Sequence, residues 1–150
     1  MSPTKAGPLA VLFVVVTLVS WLLVRLVYTD LPVIPWTAIP MVLLLALGEV
    51  YTAWMTKARI ARKPDTKPVE PLAVARLAAL AKASAYVGAV FAGFFAGFAL
   101  HTLSLLRAET PRSDFFVATG SSLSFIALVV AALFLEHACR VPKDSDRDGS

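Results

Sequence analysis

The chain has 150 residues, 58% of them hydrophobic and only 16% charged, with a formal net charge of +4; its mean hydropathy is +0.75 and its pI about 9.5. A water-soluble domain carries about 25% charged residues, so this composition excludes a soluble globule and calls for lipid over much of the surface. The basic balance is not a nucleic-acid signature either, because the Lys and Arg residues hug the ends of apolar runs without an aromatic platform among them.

Four runs lack charge for long enough to cross a hydrocarbon layer: Ala6 to Val24, Leu31 to Gly48, Ala83 to Leu106 and Phe115 to Leu135. A layer of about 30 Å needs about 20 helical residues. The runs are apolar on every side, whereas a membrane strand alternates, so they read as helices. The fold class predicted is an all-α integral membrane protein, a four-helix transmembrane bundle. One membrane domain covers 1–142, with spans at about 8–28, 35–56, 80–106 and 115–138 and a connection at 57–79. Residues 143–150 read as a disordered acidic tail.

The first helix is expected from about Pro8 to Tyr28, as a retained signal anchor, because Arg25 to Asp30 offers no small-x-small cleavage site. Trp21 and Tyr28 suit the outer interface, and Arg25, near that end, can extend outward. Pro32 and Pro35 close the first helix and open the second, which holds Glu49 and continues to about Ala61. The connection from Arg62 to Glu70 carries Pro64 and Pro68 and reads as stiff and extended. Pro71 opens a third helix that reaches Leu106, too long for the bilayer, so its start must tilt or project. Arg107 to Asp114 reads as a solvated outer turn, and the fourth helix runs from about Ser113 to Arg140, stopped by Pro142.

Charge orients these spans. With the second connection inside, the cytoplasm receives Lys5, Lys57, Arg59, Arg62, Lys63, Lys67, Arg76, Arg140, Lys143 and Arg147, ten basic residues, against Arg107 and Arg112 outside. Short loops rich in Lys and Arg stay cytoplasmic. Both termini are therefore expected inside, in a multi-pass protein of the cell (plasma) membrane.

Helix three carries Ala81, Ala85, Ala89, Gly93 and Gly97 at four-residue spacing, beside Ser84, Gly88, Ala92 and Ala96. Two small stripes let neighbouring backbones approach closely in lipid, either within the monomer or at a homodimer seam. Val87, Val90, Phe91, Phe94, Phe95 and Phe98 form the opposite side, suited to lipid or a partner. Glu49 costs about 2.5 to 3.5 kcal/mol near the bilayer centre unless compensated. Lys82 sits at a comparable depth in helix three, so Glu49 and Lys82 are a candidate buried ion pair, structural in one reading and a proton or ion site in the other. Glu136 and Arg140, four apart with the acid first, suit a local pair at the cytoplasmic interface. Lys57, Arg59, Arg62, Lys63 and Arg76 share that interface, where a Lys57 to Lys63 cluster can attract anionic lipid head groups at about 1 kcal/mol per residue.

Catalytic and metal chemistry find little footing. His101 lacks a companion ligand, and His137 with Cys139, the single cysteine, lacks zinc spacing. Ser121, Ser122 and Ser124 lack a glycine-flanked elbow and read as hydroxyls bonded within the helix or to a neighbour. Asp144 to Gly149 matches the first half of a calcium loop, but position twelve is missing. No metal and no cofactor is expected.

Glu49, Arg59-Ile60-Ala61-Arg62-Lys63, Pro68-Val69-Glu70-Pro71-Leu72, Arg76, Ala81-Lys82-Ala83-Ser84, the Gly88 to Gly97 pattern, and Leu135-Glu136 with Cys139-Arg140-Val141-Pro142 together resemble the DUF3180 family, small actinobacterial membrane proteins bearing a domain of unknown function. The resemblance covers nearly the whole chain and is most specific from Pro68 to Gly97. It implies four spans, often encoded near folate-biosynthesis genes, and brings no established activity. The function expected is a non-enzymatic helical bundle that scaffolds or assists a larger membrane-associated assembly, with an unidentified membrane protein or a second copy as partner. The alternative is a small transporter or channel subunit using Glu49 and Lys82 near a polar path.

Overall fold

A computed structural model describes residues 3–30, 32, 35–61 and 70–140. They form four helices, α1 (Ala6–Val27), α2 (Ala38–Ile60), α3 (Pro71–Leu103) and α4 (Glu109–Ala138), with one 3₁₀ turn, Tyr28–Asp30, closing α1. All four are long and apolar enough to cross a membrane. The stiff connection expected around Pro64 and Pro68 and the acidic tail lie outside the described residues.

Proline marks all four helix starts, Pro8 being the third residue of α1. Pro71 is the first residue of α3, Pro40 the third of α2 and Pro111 the third of α4. Its missing N–H would have had no intrahelical acceptor in the first turn. Helix α4 thus begins at Glu109, four residues before the expected Ser113, and converts most of the supposed outer turn into helix.

Packing does not follow chain order. The principal interfaces are α1 with α3, α3 with α4, and α2 with α4. Helices α1 and α3 ascend together: Leu9 shares a cluster with Ala85 and Ala89, Val24 with Phe98 and Ala99, and the Tyr28 ring lies against His101. Helices α2 and α4 are likewise parallel, with Ala46 beside Leu128 and Ala131, and Ala53 beside Leu135 and Ala138. Between the two pairs α3 and α4 run antiparallel, Ala81 meeting Leu135 at one end and Ala99 clustering with Ala118 at the other.

The two small stripes on α3 explain how one helix serves two neighbours. A Cβ added at Gly93 would stand 2.8 Å from the Phe13 carbonyl oxygen of α1, and one at Gly97 would stand 2.5 Å from the Thr17 carbonyl oxygen. At Gly88 it would meet Val129 of α4 at 2.8 Å. Ala85 and Ala89 are buried in the same seams. Gly88, Gly93 and Gly97 are therefore taken up by seams inside the monomer, while Ser84 and Ala96 stay partly exposed. Van der Waals packing of close backbones is the force that associates helices in lipid. The opposite side is less uniform than expected: Val87 and Phe94 are exposed, but Phe98 is buried against Val24 and Tyr28.

Because Ala85 and Ala89 are level with Leu9, the first ten or so residues of α3 extend past the start of α1. A 33-residue helix is about 50 Å long, and its first residues have no part of α1 beside them. The outer faces of α1 and α2 carry large exposed side chains, including Leu18, Leu22, Leu44, Leu47, Tyr51 and Trp54.

Candidate functional site

The buried residues of α2 are Ala46, Glu49, Ala53 and Thr56, at intervals of three and four, so one narrow face of the helix meets the bundle. Glu49 sits in the middle of that face, 5% exposed, flanked by alanines that let α4 close over it. Ser84 of α3 is the polar side chain near the Glu49 carboxylate. Oε2 of Glu49 is buried without a hydrogen-bond partner.

Lys82 does not complete this site. Among the described residues the one ion pair is Arg140 with Glu136, at 3.9 Å, so the expected Glu49–Lys82 pair is not formed. The cause is twofold. Helix α2 packs on α4 rather than on its sequence neighbour α3, and two residues separate Lys82 from Ser84, which is about 200° around a helix. Ser84 turns with Gly88 toward the α4 side, while Lys82 lies on the line of Ala89, Ala96 and Leu103, seven residues apart along α3.

At the end of the bundle where α1 starts and α4 stops, Glu136 performs two tasks. Its Oε1 accepts the Thr4 backbone N–H at 2.7 Å and pairs with Arg140, which ties the start of the chain to the end of α4. The neighbouring Cys139 is buried, and burial, with a further contribution from the Glu136 carboxylate, pushes its thiol pKa up. Lys57, Arg59 and Arg76 are exposed at this end; Arg62 and Lys63 lie outside the described residues.

The other end holds a polar contact that sequence reasoning missed. The Tyr28 hydroxyl donates to Oδ2 of Asp114 at 2.9 Å, and Asp114 is only 8% exposed. The Tyr28 ring packs against Phe98 and His101 at centroid separations of 5.7 and 5.1 Å. The sequence places Asp114 in a solvated turn; α4 instead carries it inward. The available signal was Pro111, which fits a first helical turn as well as a loop. Arg25 lies 5.7 Å from the Trp21 ring centroid, its guanidinium over the ring.

Two serines of α4 make the hydrogen bonds expected of them, whereas Ser121, 1% exposed, has a hydroxyl without a partner. Ser122 donates to the Ala92 carbonyl of α3 at 3.0 Å, and Ser124 to the Gly120 carbonyl of its own helix at 2.8 Å. Among the described residues no three His, Cys, Asp or Glu side chains gather as metal ligands would.

Since α1 and α4 both rest on α3 but not principally on each other, a crevice runs between them with α3 as its floor. One part, about 310 Å³, is bordered by Phe13, Thr17, Ala96, Leu103, Phe115 and Thr119 among others. A second, about 200 Å³, continues past Phe13 along Leu9, Ala89, Ala92 and Val130.

Residues 9–143 match the family model described as "Protein of unknown function (DUF3180)". No curated protein and no solved structure matches.

Proposed function

We propose, for a chain that belongs to the DUF3180 family of unknown function, a non-enzymatic helical bundle of the plasma membrane that scaffolds or assists a larger membrane-associated assembly. Both termini are cytoplasmic in this reading, which the basic residues at the inner helix ends support. The observation that carries the scaffold role is how the buried polar groups are used. Ser122 ties α4 to α3, Tyr28 ties the end of α1 to α4, and Glu136 ties the start of the chain to α4. These groups hold helices together, while the large apolar side chains of α1 and α2 face outward. Leu44, Leu47, Tyr51 and Trp54 form one exposed stripe on α2, spaced for a single helix face, and this stripe is the docking face we assign to a membrane protein partner or a second copy. Lys57 and Arg59, at the inner end of the same helix, would rest on anionic head groups.

Affinity capture from native membranes tests this reading. A membrane protein should co-purify in fixed ratio with the wild type and be lost from Tyr51→Ala/Trp54→Ala, which leaves the buried face intact. Unchanged capture by that variant would remove α2 as the docking face.

A second reading, a small transporter or channel subunit, draws on the unpartnered Oε2 of Glu49, since an ionisable group inside a span is a functional candidate. Proteoliposome flux separates the two: a transporter loses flux in Glu49→Gln, whereas a scaffold supports none in either form.

A further inference from the structure

We infer that the crevice between α1 and α4 binds one acyl chain of an anionic phospholipid, whose phosphate is held by Lys82; this rests on the membrane insertion proposed above. The size of the crevice selects the occupant. Its two parts hold about 310 and 200 Å³ and follow α3 from Ala89 to Leu103, a rise of roughly 21 Å, which gives a cross-section of about 25 Å². A helix about 10 Å across needs about 80 Å² and would lie over the opening without filling the groove. Carbon atoms in contact lie about 4 Å apart, so one extended methylene chain needs about 20 Å² and fits.

The lining suits hydrocarbon. Leu9, Phe13, Ala89, Ala92 and Leu103 present carbon, the hydroxyls of Thr17 and Ser122 are turned into backbone carbonyls at 2.7 and 3.0 Å, and the Thr119 hydroxyl is the one polar group of the lining left without a hydrogen-bond partner. A chain in this position restores contacts that α1 and α4 do not make with one another.

Charge fixes the direction. Lys82 continues the line of Ala89, Ala96 and Leu103 one heptad below the crevice, level with the first residues of α1, where an inner head group would lie. It has no carboxylate within 4.0 Å among the described residues. Glu49 lies on another side of α3, and Glu136 is engaged by Thr4 and Arg140. The start of α1 adds its free backbone N–H groups and the positive end of its dipole, and Lys5 stands immediately before it. A phosphate at this point meets positive charge, and its chain continues directly into the crevice.

The test is native mass spectrometry of the full chain in detergent, titrated with phosphatidylglycerol and with phosphatidylcholine of identical acyl chains. The wild type should retain one phosphatidylglycerol with about fivefold preference, the share expected of one lysine at a lipid surface. Lys82→Gln should erase the preference, Arg76→Gln should keep it, and Ala96→Phe, which fills the crevice, should reduce retention of both lipids. Equal retention of the two lipids by wild type overturns the proposal, as does a preference that survives Lys82→Gln or displacement of the lipid by soluble glycerol phosphate. If Ala96→Phe does not fold, the lysine comparison decides alone. Insertion is judged separately by alkaline extraction: a chain that resists extraction and shows no lipid preference overturns the lipid site while leaving the membrane assignment intact.

Discussion

Gly97→Ala adds a single methyl group at the tightest point of the α1–α3 seam. Its Cβ would stand 2.5 Å from the Thr17 carbonyl oxygen, 2.7 Å from Ser20 Cβ and 2.8 Å from the Trp21 backbone nitrogen. Two of these three atoms are helix backbone and cannot rotate away, so α1 must retreat by about 1 Å, a gap that forfeits about a quarter to a half of each contact's attraction across the seam. Overpacking of this kind costs about 1–3 kcal/mol. Gly48→Ala is the matched control, because a Cβ there meets nothing within 4 Å and the exchange removes a helix penalty of up to about 1 kcal/mol. Thermal or denaturant unfolding of both variants in one detergent should give opposite signs, with Gly97→Ala less stable by about 1–3 kcal/mol and Gly48→Ala unchanged or more stable. Equal tolerance of the two substitutions would refute close backbone approach as the basis of the seam, and with it the role assigned to the small stripe.

Tyr28→Phe should cost about 1–3 kcal/mol by leaving the buried Asp114 carboxylate without its donor, and a double-mutant cycle with Asp114→Asn should show coupling above about 0.5 kcal/mol; additive effects would dismiss the contact. The same cycle should find coupling between Glu49→Gln and Ser84→Ala but additivity between Glu49→Gln and Lys82→Met, and the reverse result would restore the ion pair. In a Cys139→Ala background, a cysteine at position 65 should be protected from impermeant maleimide in intact cells and one at 109 accessible; the opposite pattern inverts the topology. The native Cys139 thiol, buried and pushed up in pKa by that burial, should react with maleimide in detergent much more slowly at neutral pH than a cysteine introduced at exposed Arg59, and equal rates would argue against its burial.

The helices were legible because each uninterrupted apolar run needs only length to declare itself. Which helix touches which was not. Reading α2 and α3 as neighbours because they are consecutive brought Glu49 to Lys82, whereas the bundle crosses over and gives Glu49 to α4 and Ser84. The small stripes of α3 showed that something approaches closely at Gly93 and Gly97, and the second stripe could have been read as a second partner. Asp114 was missed because charge near a predicted turn looks solvated; its burial depends on α4 starting early and on Tyr28 arriving from the far end of α1. Local periodicity records the face a helix buries, while the identity of the opposing helix is a property of the whole chain.

The crossed connectivity has a consequence for how the molecule is made. Helix α1 is complete at Val27, but the helix it packs on ends only at Leu103; α2 is complete at Ile60, and its principal partner ends at Ala138. At synthesis rates of about 5–20 residues per second, each early helix waits on the order of several seconds before its seam can close. During that interval the first two helices are neighbours in the nascent chain without being each other's principal partner, so under the proposed membrane insertion hydrocarbon alone holds them. The amino-terminal half therefore carries no stable hairpin of its own. Assembly is an exchange in which the later half supplies both missing surfaces, so severing the connection between Ala61 and Glu70 would leave two fragments, each bearing the surfaces the other lacks.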